Sequence, residues 1–248
     1  MFDCMKILRL AALSALLTLP LLGAPASAAA EPTGPGLVAR YNFDGGTSEG
    51  KINDLSGRGA ALTLRGSNNG QVSILTEGAG RFAAFPAICA AAVSNCAKAL
   101  LETPDRPDLD PGTRNFKWAA SVRLTAGQLS GNANVMQKGV ANAESQWKMQ
   151  VTSKTGRAQC VLVARGSAQT FTATSARPVA DGSWHRVACE RANGSLAVAV
   201  DGVTTGRVTV PATVGVDNAM PMRVGGPNLA GSGDMYHGQI DDIYIQLG

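Results

Sequence analysis

The chain has 248 residues, 45% hydrophobic, 16% charged and 5% aromatic, with a formal net charge of +4. That balance suits one large domain or two small ones and argues against disorder, and the 29 Gly and 12 Pro follow no collagen-like period. With no Lys/Arg run and only two histidines, His185 and His237, neither nucleic-acid binding nor a histidine-rich metal site is expected.

Residues 1–30 read as a signal peptide. Lys6 and Arg9 precede an apolar stretch over residues 11–22, and Ala26-Ser27-Ala28 has the small-x-small pattern of a cleavage site. The apolar stretch is shorter than the ~20 residues a bilayer span needs. Met5 begins a more typical signal than Met1, and cleavage is expected after Ala28 or Ala30. The product, residues 31–248, would be secreted and free of the membrane, with 20 basic against 17 acidic side chains.

Beyond residue 30, apolar residues alternate at period two, as in half-buried strands. Leu37, Ala39, Tyr41 and Phe43 share a face, as do Trp118, Ala120, Val122 and Leu124, and Trp147, Met149 and Val151. Further on, the sets are Cys160, Leu162 and Ala164; His185, Val187 and Cys189; Leu196, Val198 and Val200; and Asp241, Ile243, Ile245 and Leu247. Asp44-Gly45-Gly46, Gly57-Arg58-Gly59, Gly166-Ser167, Asp181-Gly182, Asn193-Gly194 and Asp201-Gly202 separate these runs as turns, with Asn193-Gly194 the strongest hairpin signal. Only residues 88–101 read as helical, stopped by Pro104 and Pro107. The pattern is that of one all-β domain, a sandwich or barrel.

Without Cys4, four cysteines remain, and an even number in an exported chain favours two disulfides. Of three pairings we expect Cys89–Cys96, closing a short Ala-rich loop, and Cys160–Cys189, tying two strands. Chain entropy gives ~2.5 and ~3.5 kcal/mol for them. Zinc is the rival reading, but there is no CxxC pair and no histidine at finger spacing.

Three segments carry a family resemblance: Leu37-Val-Ala-Arg-Tyr-Asn-Phe-Asp44 with Asn53-Asp-Leu-Ser-Gly57; Asp181-Gly-Ser-Trp-His-Arg-Val-Ala188; and Arg223-Val-Gly-Gly226 with Tyr236-His-Gly-Gln-Ile-Asp-Asp-Ile243. Together they resemble the laminin-G-like group of the concanavalin A-like lectin/glucanase superfamily, over about residues 37–247. The resemblance implies an all-β, concanavalin A-like jelly-roll β-sandwich of two antiparallel sheets. It also implies an extracellular glycan or glycoprotein partner, although this fold hosts lectins, receptor-binding modules, glycosidases and lyases alike. Residues 83–114, with Cys89–Cys96 and the Pro-rich stretch 104–111, depart from a minimal module and read as a stapled crossover.

Many members of that group bind calcium at a sheet edge where the terminal strands meet. Asp44, Asp54, Asp241 and Asp242 are therefore the expected ligands of a structural Ca²⁺, a hard cation that takes oxygen donors. The alternative is that Asp44 and Asp54 make Asx-turns while Asp241 and Asp242 cap loop amides. His185 is expected as a neutral core ring and His237 as a rim residue, neither catalytic. Glu31, Glu49, Glu77, Glu102, Glu144 and Glu190 are scattered singly, without the paired spacing of a jelly-roll glycosidase. Trp118 and Trp147 read as core, and Trp184 as half covered. A shallow polar sugar site on loops around Asn132, Asn134, Lys138, Gln146 and Lys148 is the weaker alternative to a solvated loop. The reading is a non-catalytic glycan-recognition module, with a polysaccharide-active enzyme or an adhesive envelope protein as alternatives.

Overall fold

The computed structural model describes residues 36–90, 95–142, 144–166, 169–231 and 233–248, so the proposed signal peptide and Ser167 lie outside the described residues. The strands are β1 (Leu37–Tyr41), β2 (Lys51–Ile52), β3 (Leu62–Ser67), β4 (Ser73–Glu77), β5 (Gly80–Ala84), β6 (Lys98–Thr103), β7 (Phe116–Arg123) and β8 (Ala133–Gly139). They continue as β9 (Gln146–Val151), β10 (Arg157–Val163), β11 (Thr170–Pro178), β12 (His185–Ala192), β13 (Ser195–Val200), β14 (Val203–Thr209), β15 (Met222–Val224) and β16 (Gln239–Leu247). Two antiparallel sheets result. Sheet A runs β14-β13-β12-β7-β16-β5-β4, with β1 also on β16; sheet B runs β11-β10-β9-β8-β15-β6-β3-β2.

Alternation builds the core. Trp118, Ala120 and Val122 of β7 face Trp147, Met149 and Val151 of β9, all essentially without solvent exposure. The rings of Phe116, Trp118 and Trp147 lie 5.2–5.7 Å apart, a spacing that favours tilted aromatic contacts. Cys160 on β10 and Cys189 on β12 form one expected disulfide, joining sheet B to sheet A with 5.5 Å between Cα atoms. Cys89–Cys96 is the other. The Asn193-Gly194 and Asp201-Gly202 turns place all four residues at positive φ, the conformation a two-residue hairpin between twisted strands needs.

Four local expectations change. Residues 98–101 belong to β6 rather than a helix, because their Ala, Leu and Leu side chains pair with β3 and complete sheet B. A bulge between Leu37 and Ala39 turns Leu37 onto the opposite face, where it packs with Ala119, Ala188 and Tyr244 instead of the main core. A second bulge between Asp241 and Tyr244, with Asp242 at φ 46°, breaks the expected face of β16, so Ile240 and Ile243 both reach the core. An extra residue in one strand does this by shifting the period-two parity.

The fourth change concerns His185, which is no core ring. Its Nδ1 lies 2.8 Å from Asp201 Oδ2 and its Nε2 3.1 Å from Asp181 Oδ1. Burial alone lowers its pKa, but the hydrogen bonds to Asp201 and Asp181 outweigh burial and raise it.

Candidate functional site

The four aspartates expected at a calcium site separate into two groups. Asp54 is a loop staple: Oδ1 accepts from the Arg40 amide at 2.7 Å, and Oδ2 from Ser56 Oγ at 2.7 Å and the Gly59 amide at 3.0 Å. Asp241 and Asp242 lie where one edge of β16 changes partner, from β5 at residues 239–240 to β1 at residues 243–246. Asp44 follows β1 and accepts from the Arg81 amide of β5 at 2.8 Å.

Burial, then the charges of Asp242 and Asp44, push the Asp241 carboxyl up to about 7. Burial also raises Asp242, against the pull of Arg186 and Arg40. Among the described residues, no three His, Cys, Asp or Glu side chains converge in an arrangement able to hold a metal.

The outer face of sheet A carries rings with guanidinium groups lying over them. Arg123 lies 4.6 Å over Trp184 and 5.2 Å over Phe82, and Trp184 Nε1 donates to Glu77 Oε2 at 3.1 Å. Arg186 lies 4.9 Å over Tyr244. Each of these cation–π contacts occupies one face of its ring.

Of the five residues expected in a polar loop, Asn132 alone lies outside a strand. Asn134 and Lys138 belong to β8 and Gln146 to β9, and all three are buried. Lys148 is held by Asp234 at 3.4 Å, and burial lowers its pKa. His237 does sit at a rim, with Nδ1 2.8 Å from the Pro86 carbonyl oxygen.

Lys138 leads to a cleft. Its side chain shares a face with Trp147, its register partner, and has no solvent exposure. Such an ammonium requires close acceptors. It donates to Asp110 Oδ1 at 2.6 Å, to Asp105 Oδ1 at 2.8 Å and to the Asn218 carbonyl.

The acceptors come from two segments far apart in sequence. A 3₁₀ turn over Pro107–Leu109 is anchored by Trp147 Nε1, which donates to the Leu109 carbonyl at 2.9 Å. Paired backbone bonds of 2.9 and 3.1 Å between Gly112 and Val216 bring in the second segment. The Asn218 amide then donates to Asp110 Oδ1 at 3.1 Å.

The resulting cleft has a volume of about 470 Å³ and is lined by Asp105, Asp110, Gly112, Arg114, Asp217 and Asn218, among others. That is within the ~300–1,000 Å³ of small-ligand sites. Burial raises the pKa of Asp110, although Lys138 and the Asn218 amide pull the other way. Asp105 is 41% exposed. Arg165 holds Asp217 from outside at 2.9 Å, and Arg114 is anchored by the Asp110 and Pro111 carbonyls. Chemically, the cleft offers carboxylate acceptors fixed from below and a guanidinium donor at the side. In the sequence Lys138 is only one polar residue among several, and nothing local links it to residues 105–110 or 217–218. The aspartates interleaved with prolines over residues 104–111 were the available signal.

Two antiparallel sheets packed face to face define a jelly-roll β-sandwich, with a polar cleft among its loops. A laminin G-type profile of the concanavalin A-like lectin/glucanases superfamily matches residues 97–246, and the chain belongs to that family. No curated protein matches the chain by sequence.

Among solved structures, it is similar to domain 4 of AbnA, a GH43 extracellular arabinanase from Geobacillus stearothermophilus, in complex with arabinotriose. The TM-score is 0.64 at 17% identity, over 86% of this chain and 93% of that one. The binding domain of Paraclostridial Mosquitocidal Protein 1 follows, with TM-score 0.61 and 13% identity over 85% and 48% of the two chains. The botulinum neurotoxin serotype C1 binding domain gives 0.60 and 11% over 85% and 48%. This chain thus spans about half the length of those toxin binding domains.

Proposed function

We propose that the protein is an extracellular, non-catalytic carbohydrate-recognition module that takes a glycan in the Asp105–Asp110–Asn218 cleft. The carrying observation is the pair of carboxylates fixed by the buried Lys138 at the floor of a cleft of about 470 Å³. Fixed carboxylates accept hydroxyl hydrogens strongly because the acceptor is charged and does not reorganise on binding. The arabinotriose complex of the similar arabinanase domain supports a glycan as ligand. Two disulfides support an oxidising compartment. Among the described residues, no helix is long and apolar enough to cross a membrane.

A glycan array followed by calorimetric titration tests this, with arabino-oligosaccharides among the probes. Asp105→Ala should weaken the best neutral glycan at least ~10-fold without unfolding the protein, since one charge-assisted hydrogen bond contributes ~1.5–3 kcal/mol. An array on which folded protein captures no glycan would end the reading.

Glycoside hydrolysis is the second reading, favoured by the raised Asp110 beside a second carboxylate. Against it, one ammonium holds both carboxyl groups. Release of reducing ends from a bound polysaccharide would decide for the enzyme.

Calcium is a separate proposal: the crowded carboxyls of Asp241 and Asp242, with the exposed Asp44 nearby, would be relieved by a cation held by carboxylate and backbone carbonyl oxygens together rather than by three converging side chains. Calcium should raise the melting temperature of the parent but not of Asp242→Asn. Asp54→Asn should destabilise the protein while leaving the calcium response intact. An equal calcium response in Asp242→Asn would place any ion elsewhere.

A further inference from the structure

A second, smaller pocket lies on the outer face of sheet B, away from the Lys138 cleft. It has a volume of about 220 Å³ and is lined by Arg65 of β3, Leu100 and Glu102 of β6, Arg223 of β15, and Asn228 and Leu229 of the following turn. Register explains the grouping: Arg223 lies directly opposite Glu102, while Arg65 lies opposite Leu100 and so diagonal to Glu102.

Glu102 orients both arginines. Arg223 Nε is 2.8 Å from Oε2, and Arg65 Nε is 3.4 Å from Oε1. Arg223 Nη1 is anchored on the Pro227 carbonyl at 2.7 Å. Asn228 uses its oxygen to accept the Ala230 and Gly231 amides, both at 2.9 Å, which leaves its NH₂ as a donor. One Glu oxygen per guanidinium leaves the outer nitrogens of Arg65, and Nη2 of Arg223, as further donors.

The pocket is therefore rich in donors and carries a net positive charge, two guanidinium groups against one carboxylate. Lys98 adds to this from the side, its ammonium 3.4 Å from the Leu229 carbonyl oxygen. Leu100 and Leu229 give it apolar walls.

We propose that this pocket receives the anionic group of an acidic glycan, and specifically the carboxylate of a uronic acid residue. The sugar part of the assignment rests on the glycan-recognition reading, whereas the anion part stands on the arginines. A planar carboxylate matches the fork geometry of a guanidinium, and the leucines would lie against the carbon face of the ring. A sulfate ester presents the same charge to the same donors, so the test must separate the two.

The experiment is calorimetric titration of the purified protein with trigalacturonate, neutral galactotriose and galactose-6-sulfate, for the parent and for Arg65→Gln. Arg65 has 56% side-chain exposure, so the variant should fold and melt as the parent does. Trigalacturonate should bind more tightly than galactotriose, lose affinity on adding salt, and weaken at least ~10-fold in Arg65→Gln. Galactotriose affinity should be the same in both proteins. In NMR spectra of the parent, trigalacturonate should shift the Arg65 and Arg223 side-chain Nε–H signals.

Galactotriose binding as well as trigalacturonate, with no effect of Arg65→Gln, would overturn the pocket and leave the cleft reading standing. Tighter binding of galactose-6-sulfate than of trigalacturonate would overturn the uronate assignment. Failure of trigalacturonate and galactose-6-sulfate to bind would overturn the pocket, while the glycan reading falls only if the array is blank as well.

Discussion

Replacing Lys138 by Met tests the physical basis of the cleft. Methionine fills most of the volume but removes the ammonium, leaving Asp110 with 13% side-chain exposure and the Asn218 amide as a partner. Removing one member of a buried ion pair costs about 3–5 kcal/mol, mainly from the stranded charge. The low end, about 3 kcal/mol, applies here because Asp110 keeps that amide and Asp105 is 41% exposed. With a urea m-value of about 2 kcal/mol/M, the unfolding midpoint should fall by about 1.5 M. Equilibrium urea unfolding followed by tryptophan fluorescence reads this directly, since Trp147 reaches the same turn through the Leu109 carbonyl. Adding Asp110→Asn to Lys138→Met should recover about 1–2 kcal/mol, because the stranded charge is gone. A loss below ~0.5 kcal/mol for Lys138→Met, the scale of an ordinary surface change, would refute the idea that Lys138 organises the cleft.

Two further predictions concern stability. His185 has a raised pKa in the fold, so the stability it adds should be complete below its unfolded pKa of ~6.5 and disappear as pH rises through the higher folded value. Melting curves across neutral pH should show this for the parent but not for His185→Gln or Asp201→Asn, and an identical profile in all three would remove the assignment. Cys160→Ala should cost ~3.5 kcal/mol, roughly 7–14 °C in melting temperature at ~2–4 °C per kcal/mol. Calorimetry without reductant should show that drop, and an unchanged melting temperature would mean the disulfide contributes nothing to the fold.

Most of sheet A's core was legible because Trp118, Ala120 and Val122 obey period two and the Asn193-Gly194 turn has one favoured conformation. The disulfide pairing was legible from the short Ala-rich loop between Cys89 and Cys96 and from the strand-like runs that carry Cys160 and Cys189. Leu37 and Asp241 were misplaced because a bulge changes parity without changing composition. Residues 98–101 looked helical because a short run of Ala, Leu and Leu has no distinctive period, and the long-range partner in β3 decided the outcome. His185 was misjudged because the Asp201 that holds it belongs to the next hairpin's turn. The Lys138 cleft is hidden for the same reason: its parts come from residues 105–114, 138 and 217–218, brought together by the Gly112–Val216 bridge and by the bonds of Asp110 to Lys138 and the Asn218 amide.

The position of β16 has a consequence for how the sheet forms. Residues 239–247 fill the middle of sheet A, with β7 on one side and β5 and then β1 on the other. Until they arrive, the strands β14-β13-β12-β7 and the pieces β1 and β5-β4 face each other across a gap one strand wide, each with an unsatisfied edge. Closing that gap joins segments about 200 residues apart, the kind of distant pairing that slows folding. Assembly of sheet A therefore resembles setting a keystone. Without β16, the β14-β13-β12-β7 strands and the β5-β4 hairpin share no strand in sheet A, so the sheet is continuous only through that one strand.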